Sequence, residues 1–194
     1  MPYQIKPVRM NTSISNIYRL LDARQSLVDY CQSDELSEDG LCKRIRHFSK
    51  SKTAGRLLLH HACMNEKVTF GTISLILSTF PCAAGCADEE EFQPVPLHLA
   101  CWNGSTTLDI VRLLIDEFPE SVHRQSVDGG MPLHYLCCGG CDDVNILELL
   151  LEKYPKALYH SNEAGMLPIQ IACLRSKSIE FCRTLTGAYS SLSV

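Results

Sequence analysis

The chain has 194 residues, of which 45% are hydrophobic and 21% are charged, and its formal net charge is −4 at pH 7. This length can bury the core of one domain, and the apolar content excludes gross disorder. Residues 1–56 hold ten Lys/Arg against six Asp/Glu, whereas residues 57–194 hold eight against sixteen. A basic end therefore precedes an acidic body, which can steer a charged partner, although most such charge is ordinary solvated surface.

The cysteines and the apolar runs bear on the compartment. Eleven cysteines are many for this length, and their number is odd. Residues 1–7 lack the apolar core of a secretory signal, and no apolar run approaches the roughly 20 residues needed to span a bilayer. The sequence therefore predicts reduced thiols in an intracellular protein, in the cytoplasm or alternatively in the nucleus, rather than a disulfide framework.

The first 54 residues are predicted to form a tail and a helical cap. Residues 1–12 show no periodicity and are expected to be flexible. Apolar residues recur at helical spacing over 14–31 and again over 41–48, with a polar turn between. Residues 13–54 are therefore predicted to be N-terminal capping helices or a degenerate repeat. The basic run at 43–52 is interpreted as a solvated cap face, with contact to an acidic partner or to nucleic acid as alternatives.

A six-residue pattern recurs along the rest of the chain. It reads LLHHAC at 58–63, PLHLAC at 96–101, PLHYLC at 132–137 and PIQIAC at 168–173. The steps are 38, 36 and 36 residues. Such self-similarity indicates stacked repeats, each with a short first helix, a polar loop and a more apolar second helix.

Turn residues punctuate the units. A glycine stands three residues before the start of three of the patterns, where a tight turn needs positive φ: Gly55, Gly129 and Gly165. Prolines begin three of the first helices. The second helices are predicted at 72–80, 110–118 and 146–154, each ending at an aromatic residue before proline, with a shorter one at 178–185.

Helix caps and exposed segments complete the local predictions. Thr106 or Thr107 and Asp142 or Asp143 are candidate N-caps for two second helices. The acidic run at 88–91 is interpreted as a mobile loop or as a dock for a basic peptide, and residues 190–194 are expected to fray.

This pattern resembles the ankyrin repeat, whose sequence mark is T-P-L-H-x-A with two helices in each unit. The resemblance is carried by P-L-H-x-A-C at 96–101, P-L-H at 132–134 and G-x-x-P at 129–132 and 165–168. It implies an all-α fold, an ankyrin-type helix-turn-helix repeat solenoid with an N-terminal helical cap. The array of four units is expected over 55–189, at approximately 55–92, 93–128, 129–164 and 165–189. Leu59, Leu97, Leu133 and Ile169 are then expected at equivalent inward sites.

The resemblance also implies the function. Ankyrin arrays, as a class, look like non-catalytic scaffolds that bind another protein along a groove. Finger loops and first helices line this groove. The groove-facing positions follow the turn glycine and the Ala-Cys pair, so the predicted partner-binding residues are Trp102, Asn103, Arg56, Met64, Asn65, Met166 and Arg175. Trp102 is the leading candidate because aromatic anchors dominate interfaces, although it could instead cover its own loop. A monomer without cofactor, small-molecule substrate or nucleic acid is expected.

Two recurring columns have structural interpretations. His60, His98 and His134 share one position and are interpreted as tied to neighbouring backbone. One cysteine in each unit shares another position and is interpreted as a small buried thiol at a helix contact: Cys63, Cys101, Cys137 and Cys173.

A metal- or redox-responsive module is the alternative function. Its residues are the C-x-x-C at 138–141 beside His134 and the cysteine pair at 82–86, although structural zinc needs four ligands and only one tight pair is present. No phosphate-binding glycine loop, nucleophile elbow or H-E-x-x-H pair occurs, so the sequence predicts no enzyme. A fragment of a larger repeat protein is a further possibility that the capped ends disfavour.

Overall fold

The computed structural model describes the backbone of residues 52–85 and 94–191, and the side chains of residues 58–85 and 94–190. The predicted tail and nearly all of the predicted cap lie outside this part, as does the acidic run at 88–91. Those predictions therefore remain predictions.

Helices of two kinds alternate along the described chain. The first helices of the units are α1 (Lys52–Met64), α3 (Pro96–Trp102), α5 (Pro132–Cys138) and α7 (Pro168–Leu174). The second helices are α2 (Phe70–Thr79), α4 (Leu108–Glu117), α6 (Val144–Lys153) and α8 (Ile179–Ser191). A short 3-10 turn follows each of the first three second helices, at Pro81–Gly85, Pro119–His123 and Pro155–Tyr159.

The two kinds of helix form two layers. Each first helix packs on the first helix of the next unit, and each second helix packs on the next second helix. One continuous core lies between the layers, and the described residues contain no strand. Leu59, Leu97 and Leu133 are buried at equivalent sites, whereas Ile169 is half-buried. The predicted all-α repeat solenoid is therefore confirmed, with looser burial in the last described unit.

Proline and glycine set the starts of the first helices. Pro96, Pro132 and Pro168 each begin a helix, as predicted. Gly129 and Gly165 have φ of 69° and 73°, in the left-handed region that glycine tolerates. The prediction for Gly55 is wrong, since this residue lies inside α1. Leucine occupies position 58, where the other units have proline, so nothing stops the helix from continuing back to Lys52.

Hydrogen bonds and prolines bound the second helices. The first three begin two residues earlier than predicted, and the fourth begins one residue later. The Asp143 carboxylate caps α6 by accepting from the Asn145 N–H at 2.8 Å, and Thr107 occupies the N-cap of α4 without a side-chain bond. All three predicted aromatic stops are confirmed, at Phe80, Phe118 and Tyr154. The proline after each aromatic starts a 3-10 turn, a feature absent from the sequence-based prediction.

The last helix runs further than expected. It continues to Ser191, beyond the predicted end at residue 185, and fraying of residues 190–194 stays a prediction. Tyr189 supplies the reason: its hydroxyl donates to the Leu158 carbonyl, and its ring meets the Tyr159 ring edge-on at 5.2 Å. These contacts hold the additional turn against the preceding 3-10 turn.

A recurring side chain caps the start of three first helices. The His98 Nδ1 accepts the Val95 N–H at 3.1 Å, and the His134 Nδ1 accepts the Met131 N–H at 3.1 Å. These donors are N-cap amides that the helix itself leaves unsatisfied. Gln170 does the same in α7, where its Oε1 accepts the Leu167 N–H at 2.7 Å. The histidine-to-glutamine change therefore preserves the bond.

The other ring nitrogen reaches the loop that leads into the next unit, or that unit itself. Because Nδ1 is an acceptor, a neutral ring carries its proton on Nε2. The Nε2 of His98 lies 3.2 Å from the carbonyl oxygens of Arg124 and Gly130, and the Nε2 of His134 lies 3.1 Å from that of His160. His60 reaches the Pro94 carbonyl at 3.0 Å. The predicted structural role of the three histidines is confirmed.

Burial keeps two of these rings neutral. It lowers the pKa of His98 from 6.5 to about 4, against opposing backbone hydrogen bonds, and it also lowers the pKa of His134. Protonation would add a donor where each Nδ1 must accept. The rings therefore serve the stack only while uncharged.

Glycines permit a close approach between two interhelical loops. The Gly140 N–H donates to the Trp102 carbonyl at 3.0 Å. A Cβ on Gly139 would lie within 2.6 Å of three backbone atoms of Trp102, closer than atoms can approach. This packing explains the Gly-Gly pair in the CCGGC sequence.

Replacing Gly139 with alanine should therefore destabilise the protein. We expect Gly139→Ala to lower the free energy of unfolding by about 1–3 kcal/mol, because the backbone must move to admit the methyl group. Gly187→Ala is the matched control, since a Cβ there meets nothing within 4 Å inside α8, and it should be neutral or stabilising by up to about 1 kcal/mol. Urea denaturation of both variants measures the difference. Equal stability of the two would contradict the loop geometry.

The buried histidines should make stability depend on pH. Since the folded pKa of His98 is below the unfolded value, the unfolded state binds more protons between pH 6.5 and about 4. Stability is then greatest above pH 6.5 and falls as the pH drops to about 4, by up to about 3 kcal/mol for His98. His98→Gln, which introduces the side chain found naturally at Gln170, should fold and flatten this dependence. A His98→Gln variant that folds and keeps the wild-type slope would refute the assignment.

Candidate protein-binding surface

The last residues of the four first helices form one column on the surface. They are Met64, Trp102, Cys138 and Leu174, at the same position of successive units. Met64 and Trp102 are each 47% exposed, Leu174 is 72% exposed, and Cys138 is half-buried. We call this set the terminal column. It places a row of mostly apolar side chains in solvent along the stack.

Helix geometry explains the exposure of the terminal column. The residue before each member is a cysteine, and Cys63, Cys101 and Cys137 are buried. One further residue rotates the side chain by about 100°, away from the core. The helix ends there, so no later turn of the same helix covers it.

A cavity of about 400 Å³ opens beside Trp102. The first helices contribute most of its wall. The rest comes from the loops that precede the first helices, which we call finger turns. Its lining residues are Trp102, Asp128, His134, Tyr135, Cys138, Asn162 and Ile171. The cavity thus spans three consecutive units and adjoins the terminal column, with aromatic and aliphatic groups beside a carboxylate and an amide.

The finger turns are the hairpin-like loops that precede the first helices. In one, Gly129 N–H donates to the Ser126 carbonyl at 2.9 Å, and the Ser126 N–H donates to the Gly130 carbonyl at 2.9 Å. The next finger turn repeats this arrangement between Asn162 and Met166. The Glu163 N–H donates to the Asp128 carbonyl at 2.9 Å, which joins the two fingers side by side.

The carboxylate of Asp128 is fixed within its finger. Its Oδ1 accepts from the Ser126 hydroxyl and from the Gly130 N–H. The Tyr135 ring stands against the same finger, since a Cβ on Gly130 would lie 3.0 Å from it. Tyr135 also meets the His98 ring edge-on at 4.8 Å, and burial raises the pKa of its hydroxyl. One wall of the cavity therefore rests on the histidine column.

The structure separates the predicted binding residues. Trp102 and Met64 are exposed in the terminal column, and Arg175 is exposed immediately after α7. Met166 is half-buried against the core. The described backbone places Arg56 inside α1. Their predicted role in binding stays a prediction.

Asn103 is buried, although the sequence predicted that it faces a partner. It is only 4% exposed, and its side-chain amide donates to the carbonyls of Cys63 and Asn65 at 2.9 and 2.8 Å. Its Oδ1 accepts the Ser105 N–H at 2.9 Å. Every polar atom of this side chain therefore has an intramolecular partner, and the two bonds to Cys63 and Asn65 link it to the preceding unit. Asn103 is therefore a structural residue that does not face the groove as predicted, and a role for it in binding stays a prediction.

Sequence reasoning missed most of the cavity wall. Tyr135 and Ile171 share the column that follows the histidine position, and Leu99 holds the same position buried in the second unit. The one sequence signal for Asp128 was the Asp-Gly dipeptide, which marks a turn. What brings these residues together is contact between neighbouring fingers, and the period of the sequence does not specify it.

The cysteine column is buried except in the last described unit. Burial raises the pKa of the thiols of Cys63 and Cys101, and it raises the pKa of Cys137 to about 12. Cys173 is exposed, so the prediction that it is buried is wrong. The described residues include no further first helix beyond α7 to cover it.

No metal-binding cluster occurs in the described part of the chain. Within residues 52–85 and 94–191, no group of three or more His, Cys, Asp or Glu residues could hold a metal ion. Cys138 lines the cavity, whereas Cys141 of the same C-x-x-C is buried, and Cys86 of the other pair lies outside the described residues.

The outer layer of second helices carries a smaller cavity of about 300 Å³. Phe70, Asp109, Arg112, Leu113 and Asp116 line it. Phe70 is 48% exposed, nearly the same as Trp102.

None of the described helices combines the length and the apolar character needed to cross a membrane.

Comparison with known proteins agrees with this architecture. A family model described as ankyrin repeats, in three copies, matches residues 97–192. A search of curated proteins found no match. The matched range covers three of the predicted units, and in the unit before it the elements α1, α2 and the Pro81–Gly85 turn repeat the same order. With the repeat in both sequence and helix packing, the chain belongs to the ankyrin-repeat family.

Proposed function

We propose that this protein is an adaptor that binds another protein along the surface of its first helices and finger turns. Ankyrin repeats are generally protein-interaction modules. The observation that carries the finer proposal is the terminal column beside the 400 Å³ cavity. A row of exposed apolar side chains at one position of successive units suits an extended partner segment better than a small molecule.

Trp102 is the proposed anchor of this interface. It is the only tryptophan of the chain, and about half of its surface faces solvent. Tryptophan is enriched among residues whose truncation costs an interface at least about 2 kcal/mol. Leu174, Met64 and the half-buried Met166 extend the apolar contact along the stack, and exposed Arg175 adds a polar edge.

The buried cysteines and histidines support a function in binding rather than in catalysis. Burial raises the pKa of the core thiols and so removes them as nucleophiles at neutral pH. The buried His98 and His134 are engaged with backbone groups on both ring nitrogens. The acidic excess of residues 57–194 opposes nucleic acid, whose phosphates need cations. We therefore propose a non-catalytic monomer whose partner is a protein.

Replacing Trp102 should weaken partner binding without unfolding the protein. Partners captured by the wild-type protein would be identified, purified and titrated against Trp102→Ala. We expect an affinity loss of about 2 kcal/mol, roughly 30-fold, because the indole no longer fills the interface. The thermal midpoint should stay within a few degrees of wild type.

Phe70→Ala is the matched control, since Phe70 is equally exposed on the outer layer and should bind as wild type does. Leu174→Ala, at the most exposed member of the terminal column, tests the same surface independently and should weaken binding severalfold. If Phe70→Ala abolishes binding while both terminal-column variants keep it, the proposed surface is refuted.

A further inference from the structure

The cavity beside Trp102 combines two kinds of wall. Its aromatic walls are Trp102 and Tyr135, and its aliphatic floor includes Ile171. Asp128 adds a carboxylate and Asn162 an amide. The volume of about 400 Å³ lies at the low end of the roughly 300–1,000 Å³ of ligand pockets, a size that suits one inserted side chain.

Asp128 has acceptor capacity to spare. A carboxylate offers about four lone-pair sites; the bonds from the Ser126 hydroxyl and the Gly130 N–H both fall on Oδ1, and the Tyr135 hydroxyl is a further hydrogen-bond partner of this carboxylate. The finger holds the group in place through its own backbone, so it need not reorder when a donor arrives. The carboxylate is thus a preorganised acceptor at the cavity.

The aromatic rings favour a cation over a neutral group. Cations are attracted to the faces of tryptophan and tyrosine rings, and the attraction grows when the site is desolvated. An apolar side chain would strip water from the Asp128 carboxylate without replacing its hydrogen bonds, which costs free energy. An anion would meet that carboxylate directly.

The charges nearby point the same way. Glu163 lies on the neighbouring finger, bonded through its N–H to the Asp128 carbonyl. Lys177, the one lysine of the last unit, donates to the carbonyls of Gly139 and Cys141, so its charge is held within the fold, and the exposed Arg175 is the basic residue of this surface. Residues 57–194 carry twice as many acidic as basic side chains. The surroundings therefore attract a positively charged segment.

We infer that this cavity is the subsite for one cationic side chain, of arginine or lysine, carried by an extended segment of the partner protein. The aliphatic stem lies against Ile171 and Cys138, the charged head lies beside Asp128, and the aromatic rings flank it. This inference rests on the proposed function, since it names the chemistry of the partner at the same surface.

Peptide selection on the full chain tests the inference. A displayed library of random peptides would be selected on the wild-type protein, and the binders would be resynthesised with arginine, lysine, citrulline or norleucine at the enriched position. Fluorescence of the single Trp102 and calorimetry give the affinities. We expect arginine or lysine to be enriched, and citrulline and norleucine to bind at least tenfold more weakly.

Asp128→Asn is the variant that isolates the charge. The amide keeps an oxygen that can accept from the Ser126 hydroxyl and the Gly130 N–H, so the finger should fold, and a thermal melt checks this. Affinity for the arginine and lysine peptides should fall at least tenfold, and less at high salt. Asp116→Asn, which makes the same charge change on the outer layer, should stay within twofold of wild type.

Two failures are distinguishable. If the binders carry apolar anchors, lose affinity in Trp102→Ala and ignore Asp128→Asn, the cationic subsite is overturned while the proposed function stands. If no binder depends on Trp102 or Leu174, both the subsite and the proposed surface are overturned.

Discussion

The structure depends on one side chain that makes two hydrogen bonds in opposite directions. At the third position of a first helix, a histidine or glutamine accepts the unsatisfied amide of its own N-cap. The histidines then donate to a backbone carbonyl of the loop that leads into the next unit or of that unit itself. The His98 and His134 rings therefore bond both the start of their own helix and the chain that leads into the next finger. Burial strengthens both bonds and makes a charged ring costly, so the joint holds only in the neutral tautomer with the proton on Nε2.

That joint determines which surfaces remain for a partner. With the units held in one register, residues at equivalent positions line up as columns. The buried columns, such as Leu59, Leu97 and Leu133, form the core. The terminal column, one residue beyond the buried cysteines, lies in solvent, and Tyr135 connects the cavity wall to the His98 ring. The binding surface and the core are therefore two consequences of the same packing.

The sequence predicted what its period encodes and missed what neighbouring units create together. The PLHLAC-type pattern specified helix order, proline starts and the buried leucines, and the aromatic-proline pairs specified where second helices stop. Gly55 was predicted wrongly to form a turn. In the other units a proline three residues later starts the first helix, but Leu58 stands at that position here, so the helix extends back through Gly55. Asn103 and Cys173 were misread because burial depends on whether an adjacent unit covers the residue. The cavity was missed because its walls come from three units and meet only through finger contacts.

Nitrogen-15 NMR of the histidine rings tests the joint most directly, because the chemical shifts of the two ring nitrogens distinguish the tautomers. At pH 7, a stack joined in this way requires His98 and His134 to be neutral, with the proton on Nε2 and a hydrogen-bonded, unprotonated Nδ1. The His98 ring should stay neutral until the pH approaches about 4, and the pKa of His134 should also lie below 6.5. Rings that carry the proton on Nδ1, or a His98 ring that is already charged at pH 6.5, would show that the units are held together in some other way.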